Sequence, residues 1–360
     1  MTRARPKSPV PDLRVMIKAM PPNTDTPINP DDHGHNCAQP ELHEDIARGR
    51  GRLSAPGRID PNDAARITRR ITAYSVAVGV ILIALKFVIW QQSQSVSILS
   101  SLVHSSLDFI AALATFFGVR YAARAPDRLH SFGRGKAEGF IAVLQACLVT
   151  FSAAHIFEAG IERFMSPQPV AQGGAILLVM GFAIAISGWL LMVQSHAIRS
   201  TGSVAIRGDR AHFLADMAAN IAVVIGVGFA AFTPFARADA IVALLISAWL
   251  LFTAFRVGAI AFNQLMDREL PDEERAYIRA LAAQDERILE ISDLRTRASG
   301  PHVHIQMRAA LDTDCSLLQA HEIIASAQTR ILCAFPAADV TIHPDPLGHS
   351  HGNARFKRAD

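Results

Sequence analysis

Apolar residues in this chain come in long blocks, without the alternating or three-and-four spacing of a half-buried strand or surface helix. Six blocks run near Ile71–Gln91, Val96–Tyr121, Ala137–Ile161, Gly173–Val193, Ala211–Phe232 and Ala238–Phe262. Each holds about 20 residues or slightly more, enough at a rise of ~1.5 Å per residue to cross ~30 Å of hydrocarbon. A helix apolar all round needs apolar surroundings on every side, so the pattern predicts six transmembrane helices in a membrane domain over residues 65–265. Six crossings return both termini to one side.

Outside these blocks the pattern changes. Residues 1–64 are rich in Pro, Arg, Asp and Gly and carry few large apolar side chains, so they are expected to be disordered. Beyond the sixth block the apolar runs become short. Pro271 opens a helix whose first turn holds Asp272, Glu273 and Glu274, where the helix dipole favours acids. Leu289–Arg297 and Val303–Ala309 read as strands around the turn Ser299-Gly300-Pro301. A second helix covers Ser316–Leu332, and a last strand, Asp339–His343, is stopped by Pro344. The order αββαβ predicts a small α+β domain over 266–346, followed by a polar tail at 347–360.

Charge adds orientation. The formal net charge of +3 is too small to imply nucleic acid as a partner. Its distribution is informative. Arg66, Arg69 and Arg70 precede the first span, Arg120, Arg124, Arg128, Arg134 and Lys136 follow the second, and Arg199, Arg207 and Arg210 follow the fourth. The opposite loops are neutral: Gln91–Ser95 has no charge, and Glu162 with Arg163, and Arg237 with Asp239, cancel. By the positive-inside rule both termini are expected in the cytoplasm.

Within the blocks, ionisable residues are few, and each costs about 2.5–3.5 kcal/mol to place in a span, which makes it a functional candidate. The second span holds His104 and Asp108, and the fifth holds His212 and Asp216. Both pairs are H-x-x-x-D, a spacing that sets two side chains on one helix face a turn apart. His104 and Asp108 fall roughly 12–18 Å along a span entered from outside, and His212 and Asp216 roughly 8–14 Å along one entered from inside. The two pairs therefore reach similar depth, and together offer two imidazoles and two carboxylates, a donor set for tetrahedral Zn²⁺. Lys86 in the first span is expected to face a polar interior or to snorkel. His155 and Glu158, three apart in the third, are assigned no transport role.

The stretches SVSILSSLVHSSLDFIAAL, HSFGRGKAEGF, RADAIVALLISAWLL, LMDRELPDEER and SDLRTRASGP resemble the cation diffusion facilitators, especially bacterial members that export zinc and ferrous iron. The resemblance covers about residues 67 to 346. It implies a homodimeric integral protein of a bacterial inner membrane that exports a divalent transition metal, Zn²⁺ above all, in exchange for protons. The alternatives are export of Fe²⁺, Cd²⁺ or Mn²⁺ by the same mechanism, or a membrane-bound metal sensor. It also implies that His104, Asp108, His212 and Asp216 form the transport site; His104 stands where many bacterial members have Asp, a feature of zinc-preferring members.

Two accessory metal sites of the family match only in part. In the loop after the second span the ligands would be Asp127 and His130, but the third position is Arg134, whose charge opposes a metal. In the C-terminal domain His321, His343 and Asp345 match a two-metal cluster, whereas two further ligand positions read Ser292 and Arg308. His302 and His304 alternate on a strand and could substitute or simply be exposed. Lys136 and Asp267 match a charge pair that ties the membrane and cytoplasmic domains at the dimer interface. The tails carry His33, His35, Cys37 and His43, then His349 and His351, read as weak metal capture or incidental. Nothing points to an enzyme: a membrane metalloprotease would need a helical H-E-x-x-H, which the chain lacks.

Overall fold

The computed structural model describes residues 56–93, 96–165, 174–232 and 238–349. It divides into two compact units. The helical unit reaches to Glu269 and also takes in Arg297–Val303; the other holds Leu270–Thr296 and the chain from His304 on.

The helical unit is built from α1 (Pro61–Ser93), α2 (Val96–Ala122), α3 (Ala137–Met165), α4 (Gly174–Thr201), α5 (Val204–Phe232) and α6 (Ala238–Leu265). Among the described residues five helices are long and apolar enough to cross a membrane, namely α1, α2, α3, α4 and α6. The described part of α5 is not among them: Arg207, Asp209, Arg210, His212 and Asp216 crowd its first half. Several helices outrun their apolar blocks, α4 continuing to Thr201. At the other end, α1 already includes Pro61–Ala64, residues whose composition suggested disorder. Asp60 caps this start, its Oδ1 accepting from Asn62 N at 2.8 Å, with Pro61 in the first helical position. The rest of the predicted disordered stretch, residues 1–55, and most of the tail, residues 350–360, lie outside the described residues.

Small residues let the helices approach closely. Ala146, Val149 and Ala153 of α3 pack against Ala211, Ala215 and Ala218 of α5 and Leu250, Ala254 and Val257 of α6. On the other side of α5, Phe213 joins Val78 of α1 and Leu190 and Leu191 of α4. The start of α5 is pinned twice. Ser203 Oγ donates to Glu138 Oε2 of α3 at 2.7 Å, and a Cβ on Gly208 would stand 3.1 Å from Ala142 Cα. These contacts set the rotation and height of α5.

The second unit contributes α7 (Asp272–Ala282), β1 (Glu290–Ser299), β2 (His302–Leu311), α8 (Leu317–Ala334) and β3 (Ala338–Pro346). The predicted αββαβ order is therefore present; β1 begins one residue later than expected, all three strands end two or three residues later, and β3 runs through Pro344 to Pro346 where Pro344 was expected to stop it. The sheet order is β1-β2-β3. Gly300, at φ 61°, makes the tight β1–β2 turn in a left-handed conformation that suits glycine. His304 meets Asp339, Arg308 meets Asp345, and Leu347 N donates to Leu311 O at 2.9 Å. Residues thus pair in the same order along both strands, so β2 and β3 run parallel, as a helical crossover through α8 requires. Ile278, Leu281, Leu294, Ile305, Ile331 and Phe335 fill the core between sheet and helices. Ser316 and Gln319 form a capping box at the start of α8.

Candidate metal centre

The H-x-x-x-D pairs of α2 and α5 face each other. His104 Nε2 lies 3.8 Å from Asp108 Oδ2, and Asp108 Oδ1 lies 3.3 Å from His212 Nε2. His212 Nε2 in turn lies 3.8 Å from Asp216 Oδ2, whose Oδ1 returns to His104 Nε2 at 3.7 Å. The four side chains close a ring in which nitrogen and oxygen donors alternate and each carboxylate spans both imidazoles. Ligand atoms of His104, Asp108 and Asp216 all fall within 4.8 Å of one another.

The ring is open on one side and sealed on the other. The His104 side chain is 52% exposed and that of His212 only 4%. Neither ring nitrogen of His212 makes a hydrogen bond among the described residues, although both are buried. A buried imidazole without a hydrogen-bonding partner is unusual, and here it faces two carboxylates. A cation drawn to the carboxylates would be within reach of a nitrogen lone pair at that position.

Two features around the ring were not placed by the sequence reading. Of the two alternatives for Lys86 of α1, the polar interior holds: its Nζ donates to Ser105 Oγ at 2.6 Å, beside His104. Below the ring, Asp209 is fully buried, its Oδ2 accepting from Ser75 Oγ at 2.6 Å and Gln194 Nε2 at 2.8 Å. Asp209, His212 and Asp216 are spaced three and four apart on α5, so they share one face, a signal visible in the sequence. That Ser75 and Gln194 would meet Asp209 from α1 and α4 was not visible.

The accessory positions are organised differently. In the exposed loop after α2, Arg134 Nη2 binds Asp127 Oδ2, and His130 approaches Asp127 Oδ1 through Nδ1 at 3.2 Å. The Arg134 guanidinium, with help from the His130 backbone N–H, holds the Asp127 carboxyl down at about 2. In the C-terminal unit, Arg308 grips Asp345 with Nε at 2.5 Å and Nη2 at 2.7 Å. The Asp345 bond in turn raises the Arg308 guanidinium further. His343 Nε2 reaches Asp345 Oδ1 at 3.4 Å but is largely exposed, and His321 is exposed on α8. His304 is buried and bonded through Nδ1 to Asp339 Oδ2 at 3.1 Å. Among the described residues, no cluster of three metal-ligating side chains forms in this unit. The residues described there do not fit a two-metal cluster, because Arg308 already holds the buried Asp345 carboxylate. Lys136 Nζ lies 2.9 Å from Asp267 Oδ2, and Arg297 Nη1 approaches the same oxygen at 3.4 Å. His155 and Glu158 are both exposed on α3. Of the tail donors, all but His349 lie outside the described residues.

Residues 72–266 match the family model described as the cation efflux transmembrane domain, and residues 270–347 that of the cation efflux protein, cytoplasmic domain. Curated relatives agree. The cation-efflux pump FieF of Cronobacter sakazakii is 35% identical over 79% of this chain and 95% of its own length. That of Escherichia coli is 36% identical over 78% of this chain and 93% of its own. The Serratia proteamaculans protein of the same name is 36% identical over 78% and 94%.

Proposed function

The chain belongs to the cation efflux family, and from that premise we propose that it exports divalent transition metal, Zn²⁺ first, in exchange for protons through His104, Asp108, His212 and Asp216. The observation that carries the proposal is the buried His212 ring, without a hydrogen bond among the described residues, set against two carboxylates. Two imidazoles and two carboxylates suit a tetrahedral transition metal. They do not suit Mg²⁺ or Ca²⁺, which take about six or more oxygen ligands. A tetrahedron with metal–ligand bonds of ~2.0–2.1 Å has edges of ~3.3–3.4 Å. The nitrogen–oxygen distances of 3.3 to 3.8 Å run to both oxygens of each carboxylate, so an ion would have to draw one oxygen of each aspartate and both imidazoles in toward itself.

Proton coupling follows from competition for the same lone pairs. The ion needs neutral imidazoles and ionised carboxylates, so binding releases protons and protonation expels the ion. With the site open to the cytoplasm the metal displaces protons; once it faces outward, a more acidic exterior returns them, and the ion leaves. Histidine is the principal proton carrier, because its ordinary pKa lies nearest physiological pH. Imidazole and carboxylate also accept Fe²⁺, Mn²⁺ and Cd²⁺, so cargo choice is tested and not assumed.

The working form in this reading is a homodimer in a bacterial inner membrane, surrounded by lipid, with six spans and both termini in the cytoplasm. The α5 helix, polar at its start, serves as the sixth span, shielded by its neighbours. The decisive test is uptake of Zn²⁺, Cd²⁺, Fe²⁺ and Mn²⁺ into proteoliposomes under an imposed pH gradient. Zn²⁺ flux that follows the gradient and disappears in His212→Ala supports the reading. Normal flux in that variant refutes the site, and metal binding without flux assigns the chain to sensing.

A further inference from the structure

An ammonium group stands beside the candidate site without belonging to it. Lys86 lies in the apolar run IALKFVIW of α1, where a charge must find polar company. It finds Ser105, whose Oγ accepts from Nζ at 2.6 Å. Ser105 is 5% exposed and directly follows His104, so the bond anchors the ammonium on the helix that supplies half the ring. The carboxylates of Asp108 and Asp216 both attract this ammonium, and it opposes positive charge on His104. Three of the four ring members therefore feel the same tethered cation.

We propose that Lys86 is the built-in counter-cation of the transport site, and that it sets how tightly a divalent ion is held. The inference rests on the four-residue site proposed above. With neutral imidazoles and ionised carboxylates, the empty ring carries two negative charges in an environment that stabilises none. Lys86 brings that to one. When a divalent ion enters, ring plus ion is neutral and Lys86 adds one positive charge, so the ammonium favours the empty state and resists the filled one. An exporter gains from this, since an ion bound too tightly does not leave. Ser105 holds the ammonium at a fixed distance, so it acts as a charge and not as a ligand.

The test uses the full-length protein in detergent and proteoliposomes at one fixed pH, with Zn²⁺ as probe. Lys86→Gln and Lys86→Met each remove the charge, and a span accepts Met more readily than Lys, so folding is not expected to limit the comparison. In both, Zn²⁺ affinity measured against a competing chelator should rise about tenfold or more, as expected for removing a nearby like charge in a medium of low effective dielectric. KM and kcat for export should fall together, because the ion is held and released slowly. Lys86→Arg, which keeps the charge, should stay near the parent in both readouts. A role confined to packing or folding would weaken binding in the neutral variants, so unchanged or weaker affinity overturns the inference. Asp216→Asn run in parallel separates the two claims. If it binds Zn²⁺ like the parent, the site itself is wrong. If it loses binding while the Lys86 variants match the parent, only the counter-cation is wrong.

Discussion

Asp216→Asn is the sharpest test of the ring geometry. The substitution keeps the shape of the side chain, removes one negative charge, and replaces one oxygen acceptor by an amide NH₂. Asp216 spans both imidazoles, at 3.7 Å from His104 Nε2 and 3.8 Å from His212 Nε2, so the change strikes two of the ring's four edges. Loss of an outer-shell partner typically weakens a metal site about 10–100-fold. Loss of a charged ligand should do at least the larger of these, about 2.7 kcal/mol. The empty protein should tolerate the change, because Asn relieves the mutual repulsion of Asp108 and Asp216. The assay follows from linkage: an ion at one hundred times its Kd stabilises the folded form by about 2.7 kcal/mol, and after a hundredfold weakening by only about 0.4 kcal/mol. Thermal unfolding in detergent, with and without Zn²⁺, should therefore show a clear upward shift for the parent and almost none for the variant, with the metal-free midpoints alike. An equal Zn²⁺-induced shift in both, together with equal proteoliposome flux, would refute the reasoning.

Other consequences can be measured in the same preparations. Asp209→Leu strands the buried Ser75 hydroxyl and Gln194 amide and should destabilise the fold by about 2–3 kcal/mol, whereas Asp209→Asn keeps an acceptor and should lie within about 1 kcal/mol of the parent, both by chemical denaturation. Gly208→Ala forces a methyl group to 3.1 Å from Ala142 Cα and 3.0 Å from Gln145 Cβ, and should cost about 1–3 kcal/mol by parting α3 from α5. The pairing of Asp127 with Arg134 stabilises the loop above the ordinary carboxylate value of 3.8 and is lost as pH falls through about 2, so an NMR titration of Asp127 should show a midpoint near 2 that moves up toward 3.8 in Arg134→Ala.

Why some of this was legible in the sequence and some was not is a matter of how many elements each feature needs. A span advertises itself, because hydrocarbon admits few polar residues, and the apolar blocks located the cores of all six helices. Their ends were missed where a helix continues past its apolar block: α4 runs to Thr201 through a stretch of mixed polarity whose Ala197 and Ile198 pack against Ile71 and Ile206. The meeting of His104, Asp108, His212 and Asp216 was legible because each pair lies within one helix at fixed spacing, and only the facing of α2 and α5 had to be supplied. The contacts of Lys86 with Ser105, and of Asp209 with Ser75 and Gln194, depend on the rotation of α1 and α4 about their own axes. Tertiary packing sets that rotation, through contacts such as Val78 with Leu190 and Phe213. In the C-terminal unit the alternation located the strands, but nothing local says that β2 and β3 run parallel. That register is what sets Arg308 against Asp345.

The arginines at the accessory positions lead to a stoichiometry. A metal at either position would have to displace a guanidinium already bonded to the carboxylate, by Nη2 to Asp127 and by two nitrogens to Asp345. A bidentate charge-assisted pair is among the stronger contacts available to a carboxylate, and it is intramolecular, so it is present at any metal concentration. Of the remaining donors, His130 and His343 are exposed and could each offer one nitrogen, too few to offset that displacement. The ring of α2 and α5 is different: its carboxylates face imidazoles that no described hydrogen bond engages on His212. The described part of each protomer is therefore expected to hold one cation. Elemental analysis of the full-length protein after equilibrium dialysis against Zn²⁺ should find a bound metal that Asp216→Asn removes. Asp127→Asn and Asp345→Asn should leave that amount unchanged. A second equivalent lost in Asp345→Asn would show that the guanidinium gives way to metal, and the argument from occupancy would fail.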